Sequence, residues 1–116
     1  MSRKRSSLPL LKGTLDLLVL KALSWAPRHG YGIANWLEEH SKGTIAVDDS
    51  ALYQALHRLE GRRLVTAQWR VTENRRRGRY YSLTDRGRRR LESDSDTWTR
   101  YADSVSSILA IDSASD

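Results

Sequence analysis

Residues 69–91 hold enough arginine to bind a polyanion. Of the sixteen arginines in the chain, eight fall between Arg75 and Arg90, where Asp85 is the only acid. The guanidinium group is always charged, and its rigid fork of donors matches phosphate oxygens and guanine edges. The residues on either side of the first arginine run alternate with a period of two, which predicts a β-hairpin with arginines at its tip. Such a tip is either a solvated loop or a cationic finger laid against a polyanion, and the sequence favours the second.

The composition indicates one basic domain. The 116 residues allow a single modest core, and 39% of them are hydrophobic and 29% charged. A net charge of +6 favours nucleic acid or an anionic membrane surface as partner. The chain has no cysteine, which excludes a disulfide framework, a thiolate metal site and a cysteine nucleophile. No segment approaches the roughly 18–20 apolar residues of a membrane span, and the basic N-terminus lacks a cleavage site. We therefore expect a cytoplasmic protein.

Three helices are predicted before the hairpin. The 3.6-residue apolar period places them at about residues 10–25, 31–41 and 49–61, with a short β-like connection at 44–47. In the first helix, Leu17 and Leu20 lie opposite the main apolar face, so this helix is buried on two sides. The second side packs either on another subunit or within the chain's own core. Asp48 is a predicted N-cap of the third helix, because its carboxylate can accept from the free N–H groups of the first turn.

The third helix has the pattern of a DNA-recognition helix. Its inward positions are Leu52, Ala55, Leu56 and Leu59. Its outward side carries five side chains that can form hydrogen bonds, none of them a carboxylate: Ser50, Tyr53, Gln54, His57 and Arg58. A solvated face usually mixes acids and bases, whereas the acids of this helix stand at its ends. The pattern favours a helix in the major groove, where such side chains meet base edges and phosphates; a plain solvent face is the alternative.

The elements occur in the order of a winged helix-turn-helix. Val65, Ala67, Trp69 and Val71 alternate with polar residues and form the inward face of a strand, and residues 79–83 form the returning strand. We predict a mainly α fold with a small β-hairpin and a long C-terminal helix. The expected divisions are a flexible basic arm at 1–9, a winged helix-turn-helix domain at 10–84, a dimerisation helix at 85–110 and a disordered tail at 111–116.

The last helix is predicted to form a homodimer. A narrow apolar stripe of the coiled-coil kind runs along it: Leu91, Trp98, Ala102, Val105 and Leu109. About 25 residues at 1.5 Å each give a rod of roughly 38 Å, too long to pack fully on so small a domain. We expect this stripe, with Leu17 and Leu20, to form the interface. Trp98 is either part of the interface core or, in two copies, a contact for a small aromatic effector.

Four segments together resemble the PadR family of bacterial transcriptional regulators: LLKGTLDLLVLKAL (10–23), HGYGIANWLEE (29–39), ALYQALHRLE (51–60) and GRYYSLTDRGRRRL (78–91). They follow the family's order and spacing. The resemblance implies a dimeric repressor that occupies a pseudo-palindromic operator on double-stranded DNA. It also implies a single C-terminal dimerisation helix, as in the smaller subgroup of the family. Some members use hydrophobic compounds, phenolic acids or drugs as inducers.

The resemblance also assigns candidate contacts. The recognition surface maps to the five outward residues of the third helix, and the wing maps to Arg75, Arg76, Arg77 and Arg79. Tyr31 matches a position where winged helix-turn-helix proteins commonly contact phosphate, as helix N-termini do. Charge alone adds the arm residues Arg3, Lys4 and Arg5.

The chain departs from the family pattern at the end of the recognition helix. The family usually has a glycine where Arg63 stands, while this chain has Gly61 two residues earlier. A glycine at that place normally takes the left-handed conformation that ends a helix. Either Arg63 adopts that backbone, or the helix ends early at Gly61.

Two other classes of function fit less well. The three histidines, His29, His40 and His57, have no metal-ligand spacing, and the chain lacks a glycine-rich phosphate loop and a nucleophile motif. We therefore expect no enzyme, no metal and no cofactor. An RNA- or membrane-binding module could use the same cationic wing, and on RNA the paired Tyr80 and Tyr81 could stack bases. Strand alternation turns one of these tyrosines inward, however, and the polar helix would be left without a role.

Overall fold

The computed structural model describes residues 13–71 and 74–112. In these ranges the chain forms α1 (Thr14–Ala22), β1 (Arg28–His29), α2 (Gly30–His40), α3 (Asp49–Gly61), β2 (Val65–Val71), β3 (Arg77–Leu83) and α4 (Asp85–Leu109). The strands form one antiparallel sheet in the order β1-β3-β2. The predicted winged helix fold with a long C-terminal helix is confirmed. The arm with Arg3, Lys4 and Arg5 and residues 113–116 of the tail lie outside the described residues.

The sheet has a third strand that the sequence did not predict. Arg28 of β1 pairs with Tyr81, and His29 pairs with Tyr80. Two residues are too few for a period of two to be recognisable. His29 also caps α2, because its Nδ1 accepts a hydrogen bond from the Gly32 N–H at 2.9 Å. A single residue therefore joins the sheet to the start of α2.

The core lies between the helices and the base of the ribbon formed by β2 and β3. The inward positions predicted for α3 are all buried. Leu20 and Leu91 were predicted at a dimer interface, and this prediction is wrong for both, since they expose only 1% and 8% of their surface. The reason is that α1 packs against α4 within the chain, so both leucines belong to the chain's own core.

Helix α3 ends in a Schellman motif at Arg63. The helix stops at Gly61, and Arg63 has φ 63°, in the left-handed region. The Leu64 N–H donates to the Leu59 carbonyl at 2.9 Å, and the Arg63 N–H donates to the Glu60 carbonyl at 3.0 Å. The two alternatives that the sequence left open are therefore both correct: the helix ends at Gly61, and Arg63 adopts the left-handed backbone. The turn buries Leu64 and leads directly into β2.

Two predicted boundaries differ from the structure. Helix α1 ends at Ala22 rather than near Trp25, because the Ser24 N–H and hydroxyl both bond to the Lys21 carbonyl at 3.0 and 2.7 Å and close the last turn. Residues 44–47, predicted as β-like, form a connection without a strand partner in the described part of the chain. The predicted start of α1 near Leu10 lies outside the described residues.

The ribbon extends beyond the core. Val65 is buried and Ala67 half-buried, but Trp69 and Val71 expose 59% and 71% of their surface. The prediction that this whole face points inward is wrong for its outer half. Seven-residue strands span roughly 23 Å, which carries their outer ends past so small a helical core. The projecting part of β2 and β3, with the turn between them, is the wing.

Helix α4 starts close to the domain and then leaves it. The Thr84 hydroxyl accepts from the Gly87 N–H at 2.9 Å, as expected of a cap. A Cβ atom at Gly87 would overlap the Leu64 carbonyl oxygen, so glycine allows the close approach. Farther along the 25-residue helix, Trp98 and Leu109 are 40% and 78% exposed. Among the described residues, no helix is long and apolar enough to cross a membrane.

Candidate nucleic-acid interface

Helix α3 turns a polar side without carboxylates toward solvent. Ser50, Tyr53, Gln54 and His57 are all exposed, as the sequence predicted. Two acids stand at the start of the helix: the Asp48 carboxylate accepts from the Ala51 N–H at 3.1 Å, and Asp49 is exposed in the first turn. The four side chains thus form a surface on which hydrogen-bond donors and acceptors occur without negative charge.

Arg58, the fifth predicted recognition residue, is bound to α1. Its Nη2 donates to the Asp16 Oδ1 at 2.7 Å, and its Nε lies 3.4 Å from the other carboxylate oxygen. The hydrogen bond and the charge of Asp16 raise the pKa of Arg58 above its ordinary value. The pair links the recognition helix to the first helix. Asp16 was missed from the sequence because no local pattern connects residues 42 positions apart.

Two tyrosines stand at the N-terminal end of α2. The Tyr53 side chain lies so close to Gly30 that a Cβ atom there would overlap its hydroxyl, which explains the first glycine of the Gly-Tyr-Gly run. Tyr31 is exposed, and its ring stacks on His29 with centroids 6.2 Å apart. The N–H groups at a helix start attract anions. Tyr31 is exposed at this helix start, and its phosphate contact stays a prediction.

The wing carries arginines on both of its faces. Arg75 has φ 62° in the turn, and it is exposed together with Arg76 and Arg77. On one face, the Arg77 guanidinium lies 5.0 Å from the centre of the Trp69 ring. On the other face, the Arg70 guanidinium lies 5.2 Å from the centre of the Tyr80 ring, a contact that was not predicted from the sequence.

Arg79, predicted as a wing contact, connects the wing to the recognition helix. Its Nη2 donates to the Glu60 Oε2 at 3.0 Å, at the end of α3. Its guanidinium also lies 5.9 Å from the Tyr81 ring and 6.0 Å from the Trp69 ring. Burial raises the pKa of the Tyr81 hydroxyl, and the charge of Arg79 opposes this shift. These contacts hold β3 against the end of α3, so they set the position of the wing relative to that helix.

A groove lies between the start of α1 and the middle of α4. Its volume is about 490 Å³, and its walls are Gly13, Thr14, Leu17, Asp94, Thr97, Trp98 and Tyr101. Leu17 and Trp98, which the sequence predicted at one interface, are thus neighbours. Of the other predicted stripe residues, Ala102 and Val105 are half-buried and Leu109 is exposed.

Helices α2 and α3 followed by a projecting two-stranded ribbon, with a third strand completing the sheet, define a winged helix-turn-helix protein. Residues 19–93 match the model of the transcriptional regulator PadR-like family. The match spans more than half of the chain, and the chain belongs to this family. The family consists of regulators, which agrees with the prediction that the chain is not an enzyme. No cluster of three or more potential metal ligands occurs among the described residues.

Solved structures share this architecture. A PadR family transcriptional regulator from Eggerthella lenta is 31% identical, with a TM-score of 0.75 over 87% of this chain and 86% of that one. A PadR family transcription regulator from Clostridium difficile is 25% identical, with a TM-score of 0.74 over 84% of this chain and 100% of that one.

A longer protein is related in sequence. An uncharacterized 37.1 kDa protein in transposon TN4556 of Streptomyces fradiae is 37% identical over 90 residues. That stretch covers 78% of this chain and 24% of the transposon protein, so the chain matches about a quarter of its relative's length.

Proposed function

We propose that the protein is a homodimeric repressor that binds double-stranded DNA in the cytoplasm and acts by occupying a pseudo-palindromic operator. The observation that carries the proposal is the exposed polar side of α3, which has no carboxylate and stands next to an arginine wing held to the same helix. A surface of this kind attracts phosphates and still offers specific donors and acceptors to base edges. Membership of a family of transcriptional regulators supports the same function.

In the proposed complex, the two contact surfaces have separate tasks. Gln54, Tyr53 and His57 of α3 lie in the major groove and select the sequence, while Ser50 and Arg58 flank them. The wing arginines and Tyr31 contact phosphates, which gives affinity without sequence choice. The two heads of the dimer occupy half-sites about one helical turn apart. With six to ten phosphates neutralised, affinity falls about 10³–10⁵-fold between 50 and 200 mM salt.

Selection of bound duplexes from a random pool tests DNA binding and the half-site spacing together. Gln54→Ala is then expected to relax the preference at one base pair, at a cost of about 1–3 kcal/mol. Arg76→Ala is expected to weaken all duplexes equally and to flatten the salt dependence. An unchanged preference in Gln54→Ala would show that α3 does not select the sequence. Binding of single strands or anionic vesicles as tightly as duplexes would contradict the whole proposal.

The proposed dimer forms along α4. Its outer half leaves large apolar side chains in solvent, including Trp98, Tyr101 and Leu109, and such an apolar stripe on a long helix is the usual surface for a second helix. We expect Trp98→Asp to give monomers in light scattering and to lose tight operator binding. Thr99→Asp is the matched control, because it adds the same charge at an exposed neighbouring position. Dimers that persist in Trp98→Asp would place the interface elsewhere.

The groove beside Trp98 supports a further part of the proposal, a small aromatic effector. The groove joins the exposed indole to Leu17 and Tyr101, and a flat apolar compound fits such walls. Binding would change Trp98 fluorescence and shift operator affinity, and Trp98→Phe identifies that signal among the four tryptophans of the chain. A panel of planar aromatics that changes neither fluorescence nor affinity would remove the effector from the proposal.

A further inference from the structure

Trp69 is a large apolar side chain that the fold leaves outside the core. It exposes 59% of its surface on the outer part of β2. The core ends at the half-buried Ala67, two residues earlier on the same face, so packing within the domain does not explain an indole at this position. Instead, two arginine guanidinium groups lie near the ring.

The strand register brings two arginines to this indole. Trp69 stands directly opposite Arg79 in the β2–β3 pairing, and Arg77 lies two residues along β3, on the same face. Their guanidinium groups are 5.0 Å (Arg77) and 6.0 Å (Arg79) from the ring centre. Both distances fall within the range of a cation–π interaction, for which tryptophan is the best ring. One indole therefore holds two of the four arginines that the sequence assigned to the wing.

The two arginines have different partners. Arg79 donates from its Nη2 to Glu60 of α3, so part of its hydrogen-bonding capacity is used within the chain. Arg77 lies farther out, opposite Val71 and beside the turn. A guanidinium that lies over a ring still has its N–H groups at its edge, where they can donate to phosphate oxygens. Arg77 is therefore the arginine of the pair that is placed for an external anion.

We propose that Trp69 is a positioning residue of the wing, whose indole holds Arg77 in the conformation that contacts a DNA phosphate. The inference rests on the proposed DNA-binding function. An arginine loses rotamer freedom when it binds, and a side chain already held on a ring has less of that freedom to lose. The indole thus raises affinity by preorganising a cation, without touching the DNA itself.

The first test replaces the ring while keeping apolar bulk. Trp69→Leu removes the aromatic face and Trp69→Phe keeps it, and each is made in the full chain and titrated with a selected duplex at constant salt. An exposed cation–π pair corresponds to about a 2- to 5-fold change in an equilibrium. Since the dimer has two such pairs, we expect Trp69→Leu to weaken binding about 4- to 25-fold and Trp69→Phe to restore most of the loss. Val71→Ala is the matched control, since it shortens an exposed side chain on the same face, and its affinity should stay within about 2-fold of the parent's.

The second test asks whether Trp69 acts through Arg77. In the Arg77→Ala background, Trp69→Leu should produce no additional loss of affinity, because the side chain that the ring positions is gone. An equal loss in both backgrounds overturns the inference, since Trp69 then acts on DNA directly or through the ribbon as a whole. If Trp69→Leu binds like the parent while Arg77→Ala is weakened, the inference fails and the wing assignment stands. If Arg77→Ala itself binds normally, the assignment of Arg77 as a phosphate contact fails, and the inference falls with it, while the Arg76→Ala titration still decides the wing assignment.

Discussion

Replacing Arg63 by glycine is expected to stabilise the protein. Arg63 holds φ 63° in the motif that ends α3, and its side chain is exposed. The left-handed backbone conformation destabilises a residue that has a Cβ atom by about 1–2 kcal/mol, and glycine has no such cost. Glycine in turn gives the unfolded chain more freedom, worth about 0.4–1 kcal/mol against folding. The expected balance is a gain of about 0.5–1 kcal/mol in the free energy of unfolding.

The gain is measurable by denaturation. For a chain of 116 residues, it corresponds to a rise of about 2–5 °C in Tm. Urea titration followed by circular dichroism gives the free energy directly, and equal protein concentrations are needed because dimer formation contributes to stability. The backbone hydrogen bonds of the motif do not involve the Arg63 side chain, so the helix end itself should not change.

The adjacent arginine provides the control. Arg62 has φ −91°, an ordinary conformation, so Arg62→Gly should cost about 0.5–1 kcal/mol through unfolded-state entropy alone. The two glycine variants are therefore expected to change stability in opposite directions. Destabilisation of both by similar amounts would refute the left-handed backbone at Arg63 and the turn that leads into β2.

Substitutions at Gly87, Thr84 and His29, each with a control variant, test the contacts that assemble the domain by urea denaturation. Gly87→Ala is expected to lower the free energy of unfolding by about 1–3 kcal/mol, because the added Cβ meets the Leu64 carbonyl. Gly61→Ala, whose Cβ meets nothing within 4 Å, should raise it by about 0.5–1 kcal/mol. Equal effects of the two substitutions would contradict the close approach of α4. Thr84→Ala removes the hydroxyl that caps α4 and should lower the free energy of unfolding by about 1–2 kcal/mol, whereas Thr84→Ser keeps the hydroxyl and most of that stability. His29→Ala should lose about 0.5–2 kcal/mol at the start of α2, and failure of His29→Asn to recover part of this would argue against the cap.

The helical part of the fold could be predicted from local patterns. The inward positions of α3, the Asp48 cap and the 25-residue length of α4 follow from a 3.6-residue period and from capping chemistry, which act within a few neighbouring residues. The same patterns overestimated α1, since an apolar run does not reveal where a hydroxyl will close the last turn. They also missed β1, because two residues carry no period.

The residues of the candidate site show the same distinction between what one element determines and what the packing of several elements determines. Ser50, Tyr53, Gln54 and His57 could be identified because one helix sets their common direction. The partners of Arg58 and Arg79 could not, since Asp16 and Glu60 reach them only through the packing of separate elements.

The sequence by itself determined the order of the four helices and the β2–β3 hairpin, the polar side of α3 and the arginine content of the wing, because each depends on residues close together in the chain. Only the tertiary structure decided which arginines keep their donors for a partner. Residues distant in the chain meet there, so Arg58 and Arg79 are bound to carboxylates while Arg77 rests on an indole. Tertiary packing likewise decided that Leu20 and Leu91 belong to the core, since burial is a property of the assembled helices and not of any one of them.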